Sequence, residues 1–168
     1  SRHLRNFARE PNQKLGPVLL QEVVNDTVEI VTPRLKSAGV ALETKIDPPT
    51  LAVRAGAVRL QQVLVNLITN AADALEGRAE RKVSVSAQRK GSKVLVSVRD
   101  NGPGVAEAIR GRIFDPFYST KGVGKGLGLG LSISYNIIKD FGGQLTVKNH
   151  PDGGALFTLE LDAARIQH

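Results

Sequence analysis

The chain has no cysteine, methionine or tryptophan and only seven aromatic residues, five Phe and two Tyr, in 168 positions. Without cysteine there are no disulfides, thiolate metal sites or sulfur nucleophiles, which agrees with a reducing compartment without proving one. No apolar run approaches the roughly 20 residues of a spanning helix. The opening SRHLRNFAREPN lacks the apolar centre of a signal peptide. With 41% hydrophobic and 23% charged residues, neither a disordered tail nor a membrane domain fits. A chain of this size can bury roughly two-thirds of its unfolded surface around one core.

What the chain does have is positive charge: 23 Lys+Arg against 16 Asp+Glu, a net +7. Nucleic acid, an anionic membrane and a phosphorylated ligand are all open readings of that excess. Arg2, Arg5, Arg9 and Lys14 against Glu10 place nearly half of it before residue 16, which weakens the case for one broad basic face.

Apolar spacing predicts the order of elements. Leu4, Phe7 and Ala8 lie on one face of a short helix stopped by Pro11, which is too short to stand alone and reads as the end of a longer helix. A short strand from residue 17 leads into a helix through Val24, Val28, Ile30, Val31 and Leu35 to about Ala38, with Pro33 expected to cap or kink it. Strands follow at 40–46 and 51–53, a strong helix at 57–75 closed by Gly77, and a hairpin at 82–100 turning at Lys90, Gly91 and Ser92. From Asn101 to Gly130 regular structure is expected to lapse, as in a functional lid. A helix at 131–141 and strands at 144–149 and 155–161 complete an α/β sandwich, with helices on one face of a mostly antiparallel sheet.

Four segments carry chemistry. On the helix LQQVLVNLITNAADAL, Arg59, Gln62, Asn66, Asn70 and Asp73 form one stripe, and no charged residue lies between Leu60 and Ala72. Amides lining a cavity fit this better than a solvated face does. A neutral amide oxygen can ligate a hard cation that already carries phosphate charge, although two asparagines satisfied by backbone would look the same. DNGPGV at 100–105 puts a carboxylate at a strand end before Gly102 and Gly104, suited to reading an amino group such as that of adenine, or simply an ordinary turn.

KGVGKGLGLGLSI at 121–133 opens the last long helix, so backbone N–H groups, the helix N-terminus, Lys121 and Lys125 make an anion site. It is not a Walker loop, because Gly126 follows Lys125 where Ser or Thr is needed, and it is not a Rossmann fingerprint, because no strand precedes it. Leu127, Leu129 and Leu131 argue against a plain linker. Between these segments, IFDPFYSTK holds Phe114, Phe117 and Tyr118, which either anchor a lid or pack without a ligand role.

In order and spacing these four segments resemble the N box, first glycine box, F box and second glycine box of the sensor histidine kinases. Their ATP-binding domain shares the Bergerat fold with gyrase B, MutL and the heat-shock chaperone ATPases. The resemblance runs from about residue 16 to 162 and looks most like the nitrogen-regulation and C4-dicarboxylate type. It implies a two-layer α/β sandwich at 16–168 behind the stub of a dimerisation helix and linker at 1–15. It also implies ATP and Mg²⁺ as ligands, with Asn70 on the metal and Asn66 beside the phosphates.

Asp100 would take the adenine amino group, with Gly102 and Gly104 shaping the base pocket. Thr120, Lys121, Gly126, Leu127, Gly128 and Gly130 would border the triphosphate under a lid spanning about 105–125, and Asp73 would complete the nucleotide-binding set. Asn66 and Lys121 would be the catalytic pair. Hydrolysing relatives carry a Glu general base at the position of Asn66; an amide cannot take a proton, which favours transfer to a protein acceptor. Gly56 stands where the family often has Asp.

The implied enzyme is a protein histidine kinase whose acceptor lies elsewhere, since His3 lacks the acceptor motif, His150 sits in a hairpin turn and His168 is terminal. Its partners would be its own dimerisation and phosphoacceptor domain, in a homodimer, and a response regulator. The domain would be cytoplasmic, within a protein anchored in the inner membrane. The alternatives are an ATPase or serine kinase of the same fold, and a basic nucleic-acid-binding module. The last has no recognisable binding motif, so nucleic acid is not expected as a partner.

Overall fold

The computed structural model describes residues 14–116 and 128–166. Among them the chain forms β1 (Gly16–Leu19), α1 (Leu20–Ala38), β2 (Ala41–Ile46), β3 (Ala52–Ala55), α2 (Ala57–Ala74), β4 (Lys82–Lys90) and β5 (Lys93–Asp100), and then α3 (Glu107–Arg110), α4 (Gly128–Asp140), β6 (Gln144–Asn149) and β7 (Ala155–Ala164). The strands make one sheet in the order β1-β3-β7-β5-β4-β2. β7 is the spine: one edge pairs with β5, and the other pairs with β6 and then, at Ala163 and Ala164, with β3. All pairings are antiparallel except β2 with β4.

Period-two alternation decides which face is buried. Val94, Val96 and Val98 of β5 lie opposite Leu161, Leu159 and Phe157 of β7 on one side and Arg89, Ala87 and Val85 of β4 on the other. Except for the exposed Arg89 near the hairpin turn, these residues pack against the buried stripes of α1 and α2, including Val31, Leu35, Leu60, Leu64, Leu67 and Ile68, in a single core. Each fully buried aliphatic side chain contributes on the order of 1.5–3 kcal/mol. The expected mixed, mostly antiparallel sandwich is therefore the fold.

Two local expectations change, both after residue 100. The expected end of α1 near Ala38 holds: the helix runs through Pro33 to Ala38 and closes at Gly39 in the left-handed region. Val31 and Leu35, buried on either side of the proline, hold the helix together despite the missing N–H. The irregular stretch from 101 contains the short helix α3, and α4 begins at Gly128 rather than at residue 131. Glycine costs about 1 kcal/mol in a helix, so propensity argues for a later start. Burial of Leu131, Ser132 and Ser134 in the turns that follow carries the helix back through Gly130.

The ends of α2 are fixed from outside. The Arg59 guanidinium reaches Asp140 at 2.8 Å and lies 5.6 Å from the centre of the Phe141 ring, tying the first turn of α2 to the end of α4. Gly56 caps α2 without a side-chain bond, so this tie stands in for the missing polar cap.

Candidate functional site

The inward row of β5 does not end apolar. Asp100 follows Val94, Val96 and Val98 in the same alternation, and its carboxylate is 3% exposed. One oxygen, Oδ1, accepts the Gly102 N–H at 2.8 Å and the Ala155 N–H at 3.3 Å, pinning both the turn after β5 and the start of β7. Burial pushes the Asp100 carboxyl above its ordinary value; the two N–H donors and the nearby Arg78 and Arg99 oppose that shift only in part. Oδ2 accepts no hydrogen bond within the described residues, which leaves an acceptor open for an amino group.

Backbone packs tightly around this carboxylate. A Cβ on Gly102 would sit 3.3 Å from the Ala74 carbonyl at the end of α2, and one on Gly154 would fall 1.8 Å from the Asp100 carbonyl. Gly104 has a φ of +82°, and a Cβ there would meet Oδ1 of Asn149 at 2.7 Å. That Asn149 side chain acts as a strand partner: Oδ1 accepts the Val105 N–H and Nδ2 donates to the Val105 carbonyl, both at 2.8 Å. Asn101 likewise accepts from the Lys82 N–H at 2.8 Å and donates to the Glu80 carbonyl at 3.2 Å.

Eight residues back along α2, about 12 Å at 1.5 Å per residue, the wall changes character. Nδ2 of Asn66 donates to the Ser134 hydroxyl of α4 at 3.1 Å, and Oδ1 of Asn66 fills the space that a Cβ on Gly130 would need, 2.8 Å from it. Between the two ends, both polar atoms of Asn70 are buried without a hydrogen-bond partner, and they are the only such side-chain atoms among the described residues. An unpaired buried amide costs on the order of 1–3 kcal/mol, so its persistence calls for a partner from outside the chain.

The donor set available for a cation is amide oxygen. No cluster of three or more His, Asp or Glu residues among the described residues could cage a metal. A divalent ion that takes most of its oxygens from phosphate and water, as Mg²⁺ does, would fit the single neutral oxygen that Asn70 offers.

Of the sequence-derived site residues, Asn66, Asn70, Asp100, Gly102, Gly104 and Gly130 line this one wall between α2, α4 and the β5–β7 edge. Gly128 is the first residue of α4. Asp73 is engaged by Arg34 of α1, through Nη2 at 3.1 and 3.2 Å from its two oxygens. Thr120, Lys121, Gly126 and Leu127 lie outside the described residues, as do Phe117, Tyr118, Lys125, His3 and His168. Phe114 stacks on Tyr135 at 5.3 Å and meets Phe157 edge-on at 6.2 Å, so this aromatic fastens its segment to α4 and β7.

Residues 55–165, from the end of β3 to the end of the sheet, match the family described as "Histidine kinase-, DNA gyrase B-, and HSP90-like ATPase". The chain belongs to this family. Among curated relatives it is similar to the C4-dicarboxylate transport sensor protein DctB of Pseudomonas aeruginosa, 39% identical over 160 residues that cover 95% of this chain and 26% of that protein. It therefore spans about a quarter of the length of such relatives.

Among solved structures it is similar to the nucleotide-free catalytic domain of histidine kinase ThkA, with a TM-score of 0.80 and 30% identity over 89% of this chain and 96% of that one. Full-length ShkA in complex with AMPPNP gives 0.78 and 32%, over 92% of this chain and 32% of that one. ThkA in complex with response regulator protein TrrA gives 0.74 and 26%, over 97% and 47%. Within this ATPase family the chain is thus a histidine kinase catalytic domain of the two-component type, and the family generally binds ATP and Mg²⁺.

Three residues of this kinase domain carry no sequence motif: Asn149, Ser134 and Gly154. Asn is depleted in strands, so Asn149 at the end of QLTVKN was a weak signal; the other two depend on contacts that only the fold creates.

Proposed function

We propose that this domain binds Mg·ATP along the α2 wall and delivers the γ-phosphoryl group to a histidine of its own dimerisation and phosphoacceptor helices, for relay to a response regulator. The observation that carries the reading is the buried, unpartnered carboxamide of Asn70, midway between Asp100 and Asn66. Asp100 accepts the adenine amino group on Oδ2 while Oδ1 holds the Gly102 turn. Asn70 offers the neutral oxygen for the divalent ion, which supplies charge neutralisation as the phosphoryl group leaves ADP.

Asn66 borders the phosphates together with Gly128 and Gly130, and Thr120, Lys121, Gly126 and Leu127 complete the set by resemblance. Lys121 adds positive charge to the transferring group. Asp73, held by Arg34, belongs to the rim of this set rather than to its floor. An amide at Asn66 has no basic lone pair with which to activate water, so transfer to an imidazole outruns hydrolysis.

The side from which the acceptor comes is marked by exposure. The only large aliphatics more than a third exposed among the described residues are Ile30, at 51%, Val58, at 80%, and Ile133, at 39%. All three line one groove, which also contains Asn66 and Gly130. An amphipathic helix laid there would bring its histidine to the phosphate end of the site.

Residues 1–15 are read as the end of that helical domain and its linker, and 16–168 as the catalytic domain. No helix among the described residues is long and apolar enough to cross a membrane. The likeness to transport sensors supports a cytoplasmic domain within a longer protein anchored in the inner membrane.

Isothermal titration with a non-hydrolysable ATP analogue and Mg²⁺ tests the reading. Binding by the wild type and its loss in Asp100→Ala are expected; no binding by the wild type, or undiminished binding by the variant, defeats it.

A further inference from the structure

A carboxylate is the wrong charge to aim at a triphosphate, and α2 carries one on the stripe that holds Asn66 and Asn70. Asp73 follows Asn70 by about 4.5 Å and Asn66 by about 10.5 Å of helical rise, on the same side of the helix. Left bare, it would repel phosphate oxygens brought to Asn70. Arg34 of α1 covers it. Both Asp73 oxygens are met by one nitrogen, Nη2, at 3.1 and 3.2 Å. Nη1 and Nε of the same guanidinium have no partner among the described residues, so the donors on its other edge stay open.

Stability does not account for the pair. The Arg34 side chain is 57% exposed and that of Asp73 28%, and ion pairs so open to solvent contribute little to a fold. Placement accounts for it better. Among the described residues lining the groove that contains Asn66 and Gly130, Arg34 is the only charged one, set among Ile30, Val58 and Ile133. On the kinase reading this groove opens at the phosphate end, where a cation can meet the terminal phosphoryl group.

We propose that Arg34 is a γ-phosphate contact supplied by α1: Asp73 grips Nη2 and turns Nη1 and Nε toward oxygens of the terminal phosphoryl group. The pair thereby converts a repelling carboxylate into an anion-binding group that tells ATP from ADP. The inference rests on the kinase reading above and adds to it a residue from a helix that carries none of the four sequence boxes. Guanidinium suits the task because its planar fork can hold a carboxylate on one edge and a phosphate on another, which the point charge of a lysine cannot do in a fixed geometry.

The test titrates the 168-residue chain in Mg²⁺ with a non-hydrolysable ATP analogue and, separately, with ADP. Arg34→Gln is expected to weaken the analogue about tenfold, the scale of a charge-assisted hydrogen bond, and to leave ADP within about twofold of the wild type. Exchanging the partners, Arg34→Asp together with Asp73→Arg, returns a cation to the same place and should restore most of the analogue affinity. A pair that only ties α1 to α2 would act differently: Arg34→Gln would melt earlier and weaken both nucleotides alike. Equal losses, or an analogue affinity that Arg34→Gln retains in full, overturn the γ-phosphate contact and leave the kinase reading standing. A wild type that binds neither nucleotide overturns the kinase reading, and this contact with it.

Discussion

The two ends of the α2 wall, proposed above to take the base and the phosphates, handle polarity in opposite ways. At the base end, around Asp100, Gly102, Gly104, Asn149 and Gly154, most polar atoms are tied to backbone, and Gly104 and Gly154 could not carry a Cβ without a collision. At the phosphate end, Asn70 is buried with nothing to bond and Asn66 keeps its oxygen free. The base end is finished before the ligand arrives, so its residues serve folding and binding together. The phosphate end is left incomplete, at a cost in stability that a ligand refunds.

Breaking the base end should therefore cost fold first. Gly154→Ala combines a left-handed backbone (φ of +89°) with a Cβ 1.8 Å from the Asp100 carbonyl. A loss of about 3 kcal/mol, read as a fall in melting temperature, is expected from strain and overpacking together. A variant that melts with the wild type would show the β7 entry to be slack.

Next comes Asp100→Asn, which keeps an acceptor for the Gly102 and Ala155 N–H groups and replaces Oδ2 by a donor facing the adenine amino group. Nucleotide affinity should fall on the order of 100-fold, about 2.7 kcal/mol. The unliganded fold should gain, and the sign follows from the raised carboxyl pKa. The buried carboxyl favours its protonated form, so its favourable contribution is complete below the unfolded-state pKa and is lost as pH rises through the higher folded-state value. Thermal melts of the two proteins should converge in acid and separate above that window, with the Asn variant the more stable at neutral pH.

The sequence carried more of the site than of its supports. The stripe through Asn66 and Asn70 was visible because helical periodicity is local and the uncharged run from Leu60 to Ala72 is conspicuous. Asp100 could be placed at a strand end from the valine alternation before it. Ser134, Asn149 and Gly154 act across 68, 44 and about 54 positions of chain, so no window of residues contains both partners. The start of α4 was misjudged for a related reason: glycine propensity is local and unfavourable, while the packing that overrides it is tertiary. In α1 the expected end near Ala38 holds despite Pro33, because burial on both sides outweighs one absent hydrogen bond.

At the phosphate end the same kind of substitution should act in the other direction. Asn70→Leu removes two orphaned polar atoms while keeping the branching and heavy-atom count, so the unliganded domain should become more stable by about 1–2 kcal/mol. Its melting point should rise by roughly 2–4 °C per kcal/mol. The Mg²⁺-dependent gain in nucleotide affinity should disappear at the same time. A destabilised Asn70→Leu would mean that the amide already has a partner in solution, and the contrast between the two ends would collapse.

Val58→Lys probes the groove beside that end. Analogue affinity should be unchanged, and on the proposed reading phosphoryl transfer to acceptor helices fused ahead of the domain should fall about tenfold, by roughly 1.4 kcal/mol. Equal transfer by both proteins would move the acceptor to another face.

The smallest effect is expected at Asn149, and it sharpens the comparison most. Asn149→Ala removes two exposed hydrogen bonds to Val105 and relaxes the contact over Gly104. Exposed bonds are exchanged for bonds to water, so the stability loss should be near 1 kcal/mol. If the clamp's purpose is to hold the base pocket, affinity should drop several-fold by the same amount in Mg²⁺ and in EDTA, because the base end does not sense the cation. Paired titrations in the two buffers decide it. Equal losses make the ends independent units joined only by α2, whereas a loss confined to Mg²⁺ would mean that the turn at Gly104 reaches the phosphates and that the two ends form a single cooperative surface.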